Sequence, residues 1–168
     1  MDKLPKYLLF ISAITVAVLG GLVFYYTSQS YFADSVIFDD EEGVAILGYD
    51  PVAYFTEEKA TFGNPLYEVN WAGAKWRFAS QEHRDLFAKA PNDYAPQFGG
   101  YEPVFIAKGY SSPTDPQIWT LRDGKLYLHN NEKTKAYWLE NFREKRTQAD
   151  ANWPHIRAKL HYRETQSE

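Results

Sequence analysis

"WRFASQEHRDLFAKAPNDY", Trp76 to Tyr94, reads as a strand arm, a capped helix and a stop. Trp76 and Phe78 alternate with polar Arg77, the period of a strand with one buried face. Ser80 stands where an N-cap belongs, before "QEHRDLFAKA", whose apolar face is Leu86 and Phe87. Pro91 follows the last turn and ends the helix.

Upstream, "LYEVNWAGAKWRF" predicts a hairpin whose β-rich arms flank Ala72–Gly73. Before it, "GVAILGYDPVAYF" holds a Gly-Tyr-Asp-Pro turn and then an apolar run. Downstream, "QIWTLRDGKLYLHN" predicts a second hairpin, with Asp123–Gly124 as its two-residue turn. "NEKTKAYWLENFREKRTQAD" predicts a helix from about Glu132, with Trp138, Leu139 and Phe142 facing in. "ADANWPHIRAKLHY" predicts another, capped by Asn152 and carrying Pro154 in its first turn. No internal repeat and no low-complexity segment is evident. The sum is a small α+β domain of short antiparallel hairpins and helices.

The chain has 168 residues, enough for one domain, and 17% are aromatic, ample for a packed core. Its formal charge is −4, which argues against a broad nucleic-acid-binding face. It has no cysteine, which excludes disulfides, thiolate metal sites, iron–sulfur clusters and cysteine nucleophiles.

"YLLFISAITVAVLGGLVFYY", residues 7–26, is uncharged and long enough to cross a bilayer as a helix. Tyr7, Tyr25 and Tyr26 stand where interfacial aromatics belong. Lys3 and Lys6 precede the stretch; Asp34, Asp39, Asp40, Glu41 and Glu42 follow it. The asymmetry places residues 1–6 in the cytoplasm and the rest of the chain outside. A cleaved signal peptide would have a shorter apolar region and a small-x-small site. Here Tyr31 in "YFA-DS" occupies the place of a small residue, so an uncleaved signal-anchor is expected. Ala13, Ala17 and Gly21 recur on one face, at a spacing that lets membrane helices approach closely, although such residues are common in any membrane helix. Residues 27–42 read as an acidic tether, 43–160 as the folded domain and 161–168 as a tail.

Candidate chemistry is sparse. His155 and His161 fall nearly on opposite faces of a helix. A composite metal site of His83, Glu82 and Glu102 competes with a plainer expectation, that His83 is a partly exposed helix residue beside its cap. No nucleophile elbow and no phosphate-binding glycine loop occurs. Asp50 and Asp93 read as turn-makers bonding nearby backbone N–H groups. "YAPQFGGYEP", Tyr94 to Pro103, combines stiffening prolines, permissive Gly99–Gly100 and the aromatics Tyr94, Phe98 and Tyr101. It reads as a packed ledge, or else as an exposed surface for a partner in which Tyr101 and Glu102 would be the contacts.

Trp76–Tyr94 resembles the YHS module, with its aromatic hairpin, Ser-capped helix and Pro-x-x-Tyr exit. "GYDPVAYF", "YAPQFGGY", "DGKLYLH" and "ADANWP" are similar, in that order, to motifs of the exported bacterial branch of the YHS family. The likeness covers about Gly43 to Pro154. It implies a YHS-like domain in the periplasm, held at the inner membrane by a single span. Metal-handling relatives carry cysteines where this chain has Ala79 and His83, and exported relatives often have "GGYCA" where it has "GGYEP". The expectation is therefore a protein that is not an enzyme and has no cofactor. It would be an accessory or interaction subunit of a membrane complex, of respiratory or photosynthetic type. The alternative is a periplasmic module that binds a metal or small ligand.

Overall fold

The computed structural model describes residues 36–166. The predicted span at 7–26, with Ala13, Ala17 and Gly21, lies outside the described residues, as does Gly21's proposed role in helix packing. Among the described residues no helix is long and apolar enough to cross a membrane.

The fold is α+β. A 3-10 turn, Ile46–Gly48, leads to α1 (Ala53–Thr56) and the antiparallel hairpin β1 (Asn64–Trp71) and β2 (Ala74–Phe78). Then follow α2 (Gln81–Lys89), α3 (Pro91–Tyr94) and a second 3-10 turn, Gln97–Gly100. The order then recurs: α4 (Pro103–Ala107), the hairpin β3 (Asp115–Arg122) and β4 (Lys125–His129), and α5 (Glu132–Glu140). A long helix, α6 (Phe142–Gln166), closes the chain.

The molecule is thus built from two copies of one unit, a repetition that a pass along the sequence does not find. Gly48-Tyr49-Asp50-Pro51-Val52 opens the first half, and Gly100-Tyr101-Glu102-Pro103-Val104 opens the second. Both turns run through left-handed residues, Ile46, Leu47 and Gly48 against Phe98, Gly99 and Gly100. The hairpins match residue for residue. Their tight turns are left-handed at Ala72–Gly73 and Asp123–Gly124, and their registers slip between Asn64 and Glu68 and between Asp115 and Trp119. In each half a capped helix follows directly. Ser80 Oγ accepts from His83 N, and Asn131 Oδ1 accepts from Lys133 N and Thr134 N. Sequence inspection misses the duplication because few side chains beyond the Gly-Tyr-acid-Pro-Val core agree; what recurs is the pattern of torsions, caps and turns.

Each half has its own aromatic core. Trp71, Trp76, Phe78 and Phe87 meet edge-on or tilted in the first. Phe98, Tyr127, Trp138 and Phe142 do so in the second. The halves join where Trp119 packs edge-on against Tyr54, whose hydroxyl donates to Pro116 O at 2.8 Å. Burial, aided by Tyr49, Asp50 and Asp115 nearby, pushes the Tyr54 phenol far above its ordinary 10.0. Burial also raises Tyr127. In the unfolded chain these phenols ionise near pH 10. Above that pH the unfolded state holds fewer protons, so stability falls as pH rises. We expect Tyr54→Phe to flatten that alkaline decline in denaturation curves. At neutral pH it should cost about 1 kcal/mol, because Pro116 O loses its donor.

Several local expectations change in three dimensions. Val36 and Ile37, expected in the tether, are buried, and Phe38 is paired on both sides: its N–H donates to Gly99 O and its carbonyl accepts from Ile46 N, both at 2.8 Å. Leu139 is 40% exposed, while its neighbour Trp138 is buried, because α5 offers the core a narrower stripe than expected. Asn152 begins no helix. It lies within α6, and its Nδ2 donates to Ile106 O and Ala107 O, carbonyls of the last turn of α4. Pro154 is likewise inside α6, which continues through Gln166, past the start of the expected tail.

Candidate functional site: two acid–histidine–threonine clusters

Asp50 heads α1 and is fully buried. Its Oδ1 accepts from Val52 N (2.8 Å) and Ala53 N (3.3 Å), as a helix-capping carboxylate does. Its Oδ2 reaches across the unit to Ala79 N (2.8 Å) and to His83 Nδ1 (2.6 Å). A carboxylate only accepts, so Nδ1 carries the proton in that contact. On the other side of the ring, Nε2 lies 3.2 Å from Thr56 Oγ1 and 3.8 Å from Glu57 Oε1. The Thr56 hydroxyl also stands 3.1 Å from Val52 O. Its single proton serves one of two acceptors, Val52 O or a neutral Nε2.

The second half repeats the device with different donors. Glu102 caps α4 through Oε1, which accepts from Val104 N at 3.2 Å. Its Oε2 accepts from Asn130 N (2.7 Å) and Thr134 Oγ1 (2.9 Å). Asn130 and Thr134 occupy the places that Ala79 and His83 occupy in the first half. The histidine here comes instead from the end of β4. His129 Nδ1 lies 3.4 Å from Glu102 Oε1, and its Nε2 lies 3.0 Å from Thr120 Oγ1. Glu102 and His129 have no exposed surface, and Thr120 is buried.

An acid that fixes a histidine beside a hydroxyl has the order of a proton relay, and His83 could in principle take the Thr56 proton. The other bonds of Asp50, to Val52 N, Ala53 N and Ala79 N, weigh against that use. In the second half a histidine and a threonine from other positions meet the equivalent carboxylate, all three buried, and there Glu102 fastens the start of a short helix to the end of a hairpin. Asp50 does the same for the first half. The surface depressions on α2, at the β1–β2 turn and at the start of α6 include none of Asp50, His83, Glu102 and His129.

The residues singled out from sequence separate accordingly. His83 is buried rather than partly exposed, because Asp50 draws it in. Glu82 is solvent-exposed. Glu102 is committed to the other half and, being fully buried, offers no carboxylate to a partner. No group of three metal-ligating side chains occurs among the described residues. Tyr101 is half-buried and packs between Phe38 and Trp153, so the Gly99–Gly100 ledge is core. Asp50 is the turn-maker expected, but its bonds to Ala79 and His83 are legible only in the fold.

The surface holds a feature that sequence reading passes over. Leu47, Phe62 and Leu66 are 39%, 66% and 78% exposed. The Phe62 ring lies on Tyr49 at 4.1 Å between centroids, and Gly63 N donates to Gly48 O at 2.8 Å. These contacts set Phe62 beside the turn that bears Leu47.

Comparison with known proteins finds no match, whether with protein-family profiles, curated proteins or solved structures.

Proposed function

We propose that the chain is a non-catalytic, membrane-anchored YHS-like protein. In this reading its folded unit lies in the bacterial periplasm and acts as an accessory or interaction subunit of a membrane complex, of respiratory or photosynthetic type. One observation carries the non-catalytic part: the buried carboxylate of each acid–histidine pair is spent on holding a helix start to a hairpin end. The uncharged stretch at 7–26 and the lysines before it support the anchor and its orientation. The "GYDPVAYF" stretch that opens the first half supports the kinship with YHS proteins. The test is mild detergent extraction of native membranes, then size analysis and identification of what travels with the chain. We expect defined membrane subunits at fixed stoichiometry. Elution as a lone monomer from freshly extracted membranes would remove the accessory role.

A second reading keeps a ligand at His83, because its Nε2 points towards the exposed side chains of Thr56 and Glu57. Metal analysis of the purified full chain decides it: stoichiometric copper or zinc, lost in His83→Gln, would favour this reading over the first.

A further inference from the structure

We propose that Leu47, Phe62 and Leu66 form a lipid-docking face that lays the folded unit on the outer surface of the bilayer. The proposal rests on the reading of residues 7–26 as a membrane anchor.

The fold itself does not require a leucine at 66. The second half has Gly99 where the first has Leu47, and Gln117 where the first has Leu66. At 66 and 117 the local geometry is the same, since Leu66 N bonds Asn64 Oδ1 and Gln117 N bonds Asp115 Oδ1, each at 2.9 Å. A duplicated position that works with glutamine has no packing need for an exposed leucine. Phe62 stands beside the turn that bears Leu47, and Leu66 follows four residues on, at the start of β1; exposed apolar side chains brought near one another mark a contact.

The length of chain before the fold selects the occupant. Only residues 27–35 separate the apolar stretch from Val36, which is buried in the fold. Fully extended, they span about 30 Å. From Val36 the chain runs to Phe38, whose carbonyl holds Ile46 N, the residue before Leu47. The apolar face therefore sits beside the point where the leash joins the fold. A short leash gives the face a high effective concentration at the lipid surface, so contacts too weak to recruit a free protein suffice here. Charge does not drive the contact. Arg77, behind Gly48 and Gly63, is paired with Glu68 at 2.8 Å, and Asp39 to Glu42 beside the leash are acidic. Docking should hold on neutral phosphatidylcholine and resist salt.

The absence of cysteine makes the test direct. The full chain carrying Leu66→Cys is labelled with a nitroxide and reconstituted in phosphatidylcholine vesicles. Lys133→Cys, on exposed α5, is the control. Power saturation compares oxygen, which concentrates in lipid, with a water-soluble nickel chelate. We expect the label at 66 to favour oxygen several-fold over the label at 133, unchanged by 1 M salt (roughly a 3 Å screening length). Leu47→Glu should return it to the aqueous value while circular dichroism stays unchanged. A label at 66 as aqueous as that at 133, on a chain that stays with the vesicles in carbonate, would overturn docking and leave the anchor standing. A label shielded from both reagents would overturn the lipid assignment in favour of contact between copies. A chain stripped from the vesicles by carbonate would overturn the anchor, and docking with it.

Discussion

Gly99→Ala is expected to lose about 3–5 kcal/mol of stability, enough to leave a marginal domain largely unfolded. A Cβ at Gly99 would lie 2.1 Å from Val36 O, a backbone atom held by its own burial, and φ there is +62°. Torsion and collision act together, and two other glycines separate them. At Gly124 φ is +69° and nothing lies within 4 Å of an added Cβ. Gly124→Ala should cost only about 1–2 kcal/mol, the left-handed penalty alone. Gly63 has no left-handed torsion, but its Cβ would meet Arg77 C at 2.4 Å. Gly63→Ala should fall between, at about 2–3 kcal/mol, through overpacking against β2. Urea denaturation of the three variants checks the order. A Gly99→Ala protein as stable as Gly124→Ala would mean that Val36 is not held against the Gly99 turn.

Asp50→Ala should be at least as damaging, with a loss of about 4 kcal/mol or more. The carboxylate serves Val52 N, Ala53 N, Ala79 N and His83 Nδ1. Its removal strands three backbone donors in or near the core, at roughly 1–3 kcal/mol each before water relieves any of them. Asp50→Asn should keep about half of the lost stability. Its oxygen can still cap α1, and His83 can switch tautomer to accept from the new amide, so that only Ala79 N stays unpaired. The same pair of changes at Glu102 should follow the same order, because Glu102 bridges the same two points of its own half. Thermal melts read by circular dichroism would check both pairs. A mild Asp50→Ala would show that α1 and the end of β2 are held by packing alone, and would free the Asp50–His83 pair for a role in chemistry.

These two sites show where sequence reading stops. Ser80 as a cap, the turns at Ala72–Gly73 and Asp123–Gly124, and the permissive Gly99–Gly100 step were all legible, since each depends on a few adjacent residues. The partners of Asp50 were half legible. Val52 and Ala53 lie within three residues, whereas Ala79 and His83 are brought up only when the hairpin folds back. His83 reads from sequence as a partly exposed helix residue for the same reason: a helix period alone places it beside polar neighbours, and its burial depends on a carboxylate from another element. Glu102 read as a surface group replacing an expected cysteine, yet it has four contacts and no exposure.

Two hairpins, their capped helices, an α+β class and an apolar stretch before them can all be read along the chain. Caps, two-residue turns and side-chain periods act within a few residues, so they are written locally. Only the tertiary structure decided that the elements form one unit twice. It alone buried Val36 and Ile37 and tied Phe38 to the second half's turn, set Asn152 to cap a helix other than its own and left Leu47, Phe62 and Leu66 outside. Those outcomes depend on which distant groups compete for the same buried donors and the same space, and contacts between distant segments have no local signature.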